Sequence, residues 1–199
     1  MEQEKSLTGQ ESFDVINRMI RTAQNDIKDD SFYYLIWGWL VLIASTVNYF
    51  LMQIDYENSY LPWAILMPLG GVATGIYSYK HERKQKVRSY IDDVMKYVVI
   101  AFVVSLFIVL FSQAKLGLST YPMVMLTYGT WLFISGGAVK FQPLIIGGII
   151  NWILGIAAFY VGFEIQLLLI ASAVLLGYII PGYMLKSKFK KQNELSHIS

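Results

Sequence analysis

Few side chains in this chain could carry chemistry. It has two histidines, His81 and His197, and no cysteine. No HExxH or other metal-ligand spacing is present, so the histidines form no zinc-hydrolysis site, and the expected metal complement is none. The GxSxG, GxGxxG and P-loop patterns are also missing, which removes the nucleophile elbow and the phosphate cradle. Asp55, Glu57, Lys115 and Glu164 fall in the breaks between long apolar runs, and Lys80 and Lys140 fall at their edges. A charge at the centre of a membrane helix costs about 2.5–3.5 kcal/mol on insertion scales and usually marks a proton or ion path. No such charge exists here. The sequence therefore predicts no catalytic residue and no cofactor.

Amides, hydroxyls and glycines are what remains. Asn151 sits four residues from both Gly147 and Gly155, a narrow stripe along one apolar run. Such a stripe lines a small cavity with Ser135 or Ser172 of neighbouring runs, or it makes an interhelical hydrogen bond worth about 0.6 kcal/mol. Asn48, earlier in the chain, has the same two readings. Gly71 and Gly75 form a GxxxG, a surface on which another helix can approach closely.

Two further groups point to contacts rather than reactions. Lys80, Arg83, Lys84, Lys86 and Arg88 belong to a segment, residues 80–96, with net charge +3. They either set topology or hold anionic headgroups, at about 1 kcal/mol per basic residue near a surface. Phe13, Ile16, Ile20 and Ile27 recur at helical spacing within residues 6–30, after a Thr8/Glu11 capping box. That face docks on a partner or packs beneath the chain's own bundle. Residues 1–31 carry net charge −3, which disfavours adhesion to anionic lipid.

The elements that position these residues read as membrane helices. Of the 199 residues, 55% are hydrophobic and 15% charged, with a mean hydropathy of +0.47. A soluble domain has about 25% charged. Six apolar runs, at about 32–52, 61–79, 94–111, 122–139, 143–161 and 165–185, predict an all-α polytopic membrane protein, six transmembrane helices in three hairpins. A cytoplasmic amphipathic helix within residues 1–31 precedes them. A basic loop, 80–93, joins spans two and three, and a basic tail, 186–199, follows span six. Span three, nearly all Val, Ile, Leu and Phe, is expected to face lipid. Span four, diluted by Thr, Tyr, Ser and Gly, is expected inside the bundle. Charge sets the orientation: 15 of the 16 Lys/Arg fall on the side holding both termini, leaving only Lys115 on the other. Under the positive-inside rule, both ends are cytoplasmic.

The stretches Lys140–Trp152, Leu167–Lys186 and Lys28–Ser45 resemble an uncharacterised group of small bacterial six-helix integral membrane proteins with no assigned activity. That resemblance implies a bacterial plasma membrane and carries no site residues. The functional expectation is a non-enzymatic membrane protein that scaffolds, senses or regulates a partner through its cytoplasmic segments. The alternative is a small-solute transporter or pore with a path between spans four, five and six. Expected partners are the lipid bilayer and a protein or second copy on the cytoplasmic side; a formal charge of +2 gives no reason to expect nucleic acid.

Overall fold

The structure is a computed structural model that describes residues 31–82 and 90–196. Phe13, Ile16, Ile20 and Ile27, and Arg83, Lys84, Lys86 and Arg88, lie outside the described residues. Those described are helical, with no strand among them: α1 (Ser31–Gln53), α2 (Leu61–Glu82), α3 (Tyr90–Phe111), α4 (Thr120–Ala138), α5 (Gln142–Ala158), α6 (Phe163–Val174) and α7 (Ile180–Ser196). A single turn, Gln113–Leu116, and a 3₁₀ turn, Gly117–Ser119, link α3 to α4. A π-helical turn, Leu175–Ile179, joins α6 to α7 without a break.

Four stretches are long and apolar enough to cross a membrane: Ser31–Gln53, Leu61–Lys80, Asp93–Phe111 and Phe163–Lys191. Six were expected, and the two that fall short do so for different reasons. α4 interrupts its apolar run with Thr127, Gly129, Thr130, Ser135, Gly136 and Gly137. α5 is strongly apolar but has only 17 residues, about 26 Å at helical rise against a hydrocarbon core of about 30 Å.

The most extensive packing lies between the expected hairpins, not within them. The most extensive interface joins α4 to α5 across the short Val139–Phe141 turn, and the next joins α1 to α6. α6 touches α1, α4 and α5 and so forms the centre. α2 rests on α1, and α3 on α4. The π-turn has a covalent cause. Pro181 has no N–H to offer the Gly177 carbonyl, and its ring disturbs the preceding turn. The ladder slips there, so the Ile180 N–H reaches the carbonyl of Leu175, five residues back.

On α1, small and polar residues share the buried face with Tyr34 and Val41. The buried face of α1 is Ser31, Tyr34, Gly38, Val41, Ala44, Ser45 and Asn48, while Ile43 and Phe50 point outward at 45% and 62% exposure. None of the residues of the Asp93–Phe111 span is fully buried. α3 touches the bundle through a stripe that includes Phe102, Leu106 and Val109 and leaves the rest of its circumference bare. Small and polar residues on the buried face of α1, with large aliphatic ones outward, fit helices held together by close backbone approach; elsewhere the core is filled by Met125, Leu132, Leu144, Leu167 and Ile170.

Two helices stop in the same way. After α4, the Phe141 N–H reaches the Gly136 carbonyl at 2.9 Å and the Lys140 N–H reaches Gly137 at 3.2 Å. Lys140 has φ +50°. After α1, Tyr56 bonds to Leu51 and Asp55 to Met52, with Asp55 at φ +53°. Both are Schellman caps, in which a left-handed residue normally supplied by glycine is here Lys or Asp.

Candidate functional site

Two consecutive glycines let α5 be clasped from both sides. A Cβ on Gly148 would lie 2.7 Å from the Gly129 carbonyl oxygen and 2.8 Å from the Phe133 nitrogen, both in α4. A Cβ on Gly147 would lie 2.7 Å from the Gly177 Cα and 2.9 Å from its carbonyl oxygen. Backbone thus meets backbone on opposite faces, a distance no side chain permits.

Asn151 follows Gly147 by one turn and is fully buried. Its amide nitrogen donates to the Gly147 carbonyl at 2.9 Å and, across the interface, to the Ala173 carbonyl at 3.2 Å. The second bond ties α5 to the last turn of α6, just ahead of the π-turn. Asn151 Oδ1 is buried and has no hydrogen-bond partner, and the same is true of the Tyr178 hydroxyl within the π-turn. Tyr178 packs edge-on to Tyr128 of α4 at 5.6 Å and tilted against Tyr34 of α1 at 6.3 Å. The π-turn is therefore held from three sides by α1, α4 and α5.

The expected stripe of Gly147, Asn151 and Gly155 divides. Gly147 and Asn151 face the α6/π-turn junction, whereas a Cβ on Gly155 would meet Met125 and Leu126 of α4 at 3.2 Å. Ser135 is buried, but its hydroxyl donates to its own helix at Trp131, 2.7 Å away. Ser172 is exposed and donates to Leu168 at 2.9 Å. It points away from the bundle because it stands next to Ala173 on the helix, and Ala173 is the residue that faces α5. These residues form a packed joint, not a shared cavity.

Gly71 and Gly75 differ in another way: no atom lies within 4 Å of a Cβ built on either. Gly70 makes the close contact instead, against Leu40 and Trp37 of α1. The helix presents Gly70, one residue before the expected pair, to its neighbour. Lys80 is exposed near the end of α2.

Asn48 is buried on α1. With the amide oriented to satisfy both neighbours, its oxygen accepts from the Trp63 indole at 2.9 Å and its nitrogen donates to the Ser59 carbonyl at 3.3 Å. It ties α1 to the start of α2. Trp63 in turn meets Tyr121 at 5.5 Å, and Tyr121 meets Phe163 at 5.2 Å, an aromatic row across that end of the bundle.

Gln166 was not singled out from the sequence. It is 1% exposed, and its amide nitrogen faces the carbonyls of Leu118 and Ala158 at 2.9 Å and of Val161 at 3.3 Å. One side chain of α6 thereby fixes the connection before α4 and the end of α5. The available signal was its standing as the sole amide in a run of Leu, Ile, Ala and Val. Glu164 nearby is exposed and accepts from Gln53 at 3.3 Å.

The buried polar groups here are amides, hydroxyls and carbonyls. They cross-link helices, as Asn151 and Gln166 do. Among the described residues, no three His, Asp or Glu side chains gather at metal-binding reach. The chain matches no protein-family model, no curated protein and no solved structure.

Proposed function

We propose that this is a non-enzymatic six-span protein of a bacterial plasma membrane, with both termini cytoplasmic, that senses or regulates through its cytoplasmic segments. One observation supports the reading above the others. The central element, α6 with the π-turn and α7, runs unbroken from the middle of the bundle into the basic tail, and Leu185 and Phe189 of α7 are still buried at 1% and 7% exposure. A displacement in the core is thus joined by continuous helix to the cytoplasmic side. α4 and α5 count as spans in this reading because both lie within the bundle, and a short or polar span is tolerated where protein rather than lipid surrounds it.

The carrier alternative places a solute path between α4, α5 and α6. That seam is filled by the contacts of Gly148 with α4 and of Gly147 with Gly177, which weighs against it.

Single cysteines test the topology cleanly, because the chain has none of its own. An impermeant maleimide applied to intact cells is expected to label Glu57→Cys and Lys115→Cys. Lys140→Cys and Lys190→Cys should react only after permeabilisation. External labelling at position 190 would overturn the orientation. Solute uptake by reconstituted vesicles, abolished by Asn151→Leu, would replace the regulatory reading with the carrier.

A further inference from the structure

The outward face of α7 carries a feature the preceding sections do not use. Tyr183, Met184, Ser187, Lys188 and Lys191 line an open depression of about 470 Å³. Its two halves differ in chemistry. Towards the bundle centre, Met184 and Ile180 lie four residues apart, 49% and 45% exposed, an aliphatic strip on one side of the helix. Towards the tail come a phenol, a hydroxyl and two ammonium groups. The Tyr183 hydroxyl accepts the Trp39 indole N–H at 3.4 Å and keeps its own proton to donate. Lys188 is held in place, its Nζ 5.4 Å from the centroid of the Phe141 ring. α7 carries four lysines, Lys186, Lys188, Lys190 and Lys191, and one carboxylate, Glu194, which follows Lys191 by three residues.

We infer that this depression is a binding site for one anionic phospholipid of the inner leaflet, with the phosphodiester on Tyr183, Ser187, Lys188 and Lys191 and an acyl chain along Met184 and Ile180. Charge complementarity selects the occupant. Four lysines against the single carboxylate of α7, Glu194, leave a net positive surface that calls for an anion, and the adjoining aliphatic strip calls for hydrocarbon attached to it. A soluble phosphate satisfies only the first half. The inference rests on the cytoplasmic placement of α7 proposed above and adds to it a ligand class and a site. It uses none of the residues of the 80–88 basic segment.

Native mass spectrometry of the purified chain, exchanged into mixtures of POPG and POPC, reads the site directly. The unaltered protein is expected to retain one POPG in preference to POPC. Lys188→Gln with Lys191→Gln should lower that preference by roughly tenfold to thirtyfold, from about 1 kcal/mol per basic residue at a surface and tenfold per 1.4 kcal/mol. Lys190→Gln with Lys186→Gln removes the same charge from α7 outside the depression and should leave most of the preference intact. All four side chains lie outside the buried core, and an unchanged helical circular dichroism spectrum verifies that each variant folds. Equal loss in the two double variants would show diffuse attraction and overturn the site. No preference for POPG in the unaltered chain would do the same, as would release of the lipid by excess inorganic phosphate. The maleimide test at position 190 is independent of these arms, so a failed orientation and a failed lipid site are told apart.

Discussion

Gly147 of α5 and Gly177 of the π-turn touch backbone to backbone, and a Cβ on the first would stand 2.7 Å from the Cα of the second. The contact brings Asn151 against α6, so the only interhelical bond this amide makes depends on two residues having no side chain.

Gly147→Ala is expected to destabilise the bundle by about 2–3 kcal/mol, the upper part of the range for overpacking, because the atoms it meets are main chain and cannot rotate away. Gly71→Ala and Gly75→Ala should do the opposite. Their Cβ atoms enter open space, and replacing glycine inside a helix gains about 0.5–1 kcal/mol. Unfolding in mixed SDS micelles, followed by circular dichroism, would separate the signs. A loss at Gly71 or Gly75 equal to that at Gly147 would mean those glycines touch something the single chain does not contain.

Asn151→Ala is expected to cost about 1 kcal/mol, near the upper end of measured interhelical bonds in membrane proteins. A double-mutant cycle with Gly177→Ala should be strongly non-additive, since a Cβ on Gly177 collides with the Asn151 amide nitrogen. Additive losses would show that the two positions act separately.

Gln166→Leu keeps the bulk and removes the donor. The carbonyls of Leu118, Ala158 and Val161 then lose the amide they share, at a cost of about 1–3 kcal/mol for buried acceptors left unpaired. The expected local signature is faster proteolysis within residues 112–119, with the ends at Lys140 unaffected. Unchanged cleavage there would remove the clamp from the account.

Lys140→Gly should stabilise the chain by about 1 kcal/mol, because the left-handed backbone at φ +50° disfavours any residue with a Cβ. Lys140→Ala keeps the strain and should be near neutral. If the alanine variant gains as much as glycine, removal of the charge is the cause and not the backbone.

Comparing residues shows what a linear sequence holds. Runs of apolar residues located every long helix among the described residues, because hydrocarbon leaves little else in a span. Rotation about the helix axis was not legible. Gly70 and Gly71 are identical in type, yet only the first meets α1; Ser172 and Ala173 are neighbours, yet only the second faces α5. Composition offers no help there, because both faces of a buried membrane helix are apolar and no polar side marks the outside. Hydropathy likewise ends span six near Leu185. The helix runs on to Ser196 because Phe189, one turn beyond Leu185, continues the same buried stripe amid lysines.

The π-turn gives the sixth stretch one residue of slack. A helix following the same path without the slip would need one amino acid fewer between Val174 and Ile180. Residues after the slip, Leu185 and Phe189 among them, are thereby rotated about the axis relative to an unbroken α-helix. What sets the azimuth of Lys188 over Phe141 is thus a miscount within Leu175–Ile179, just ahead of a proline, seven residues upstream of the lysine, that withholds a single hydrogen.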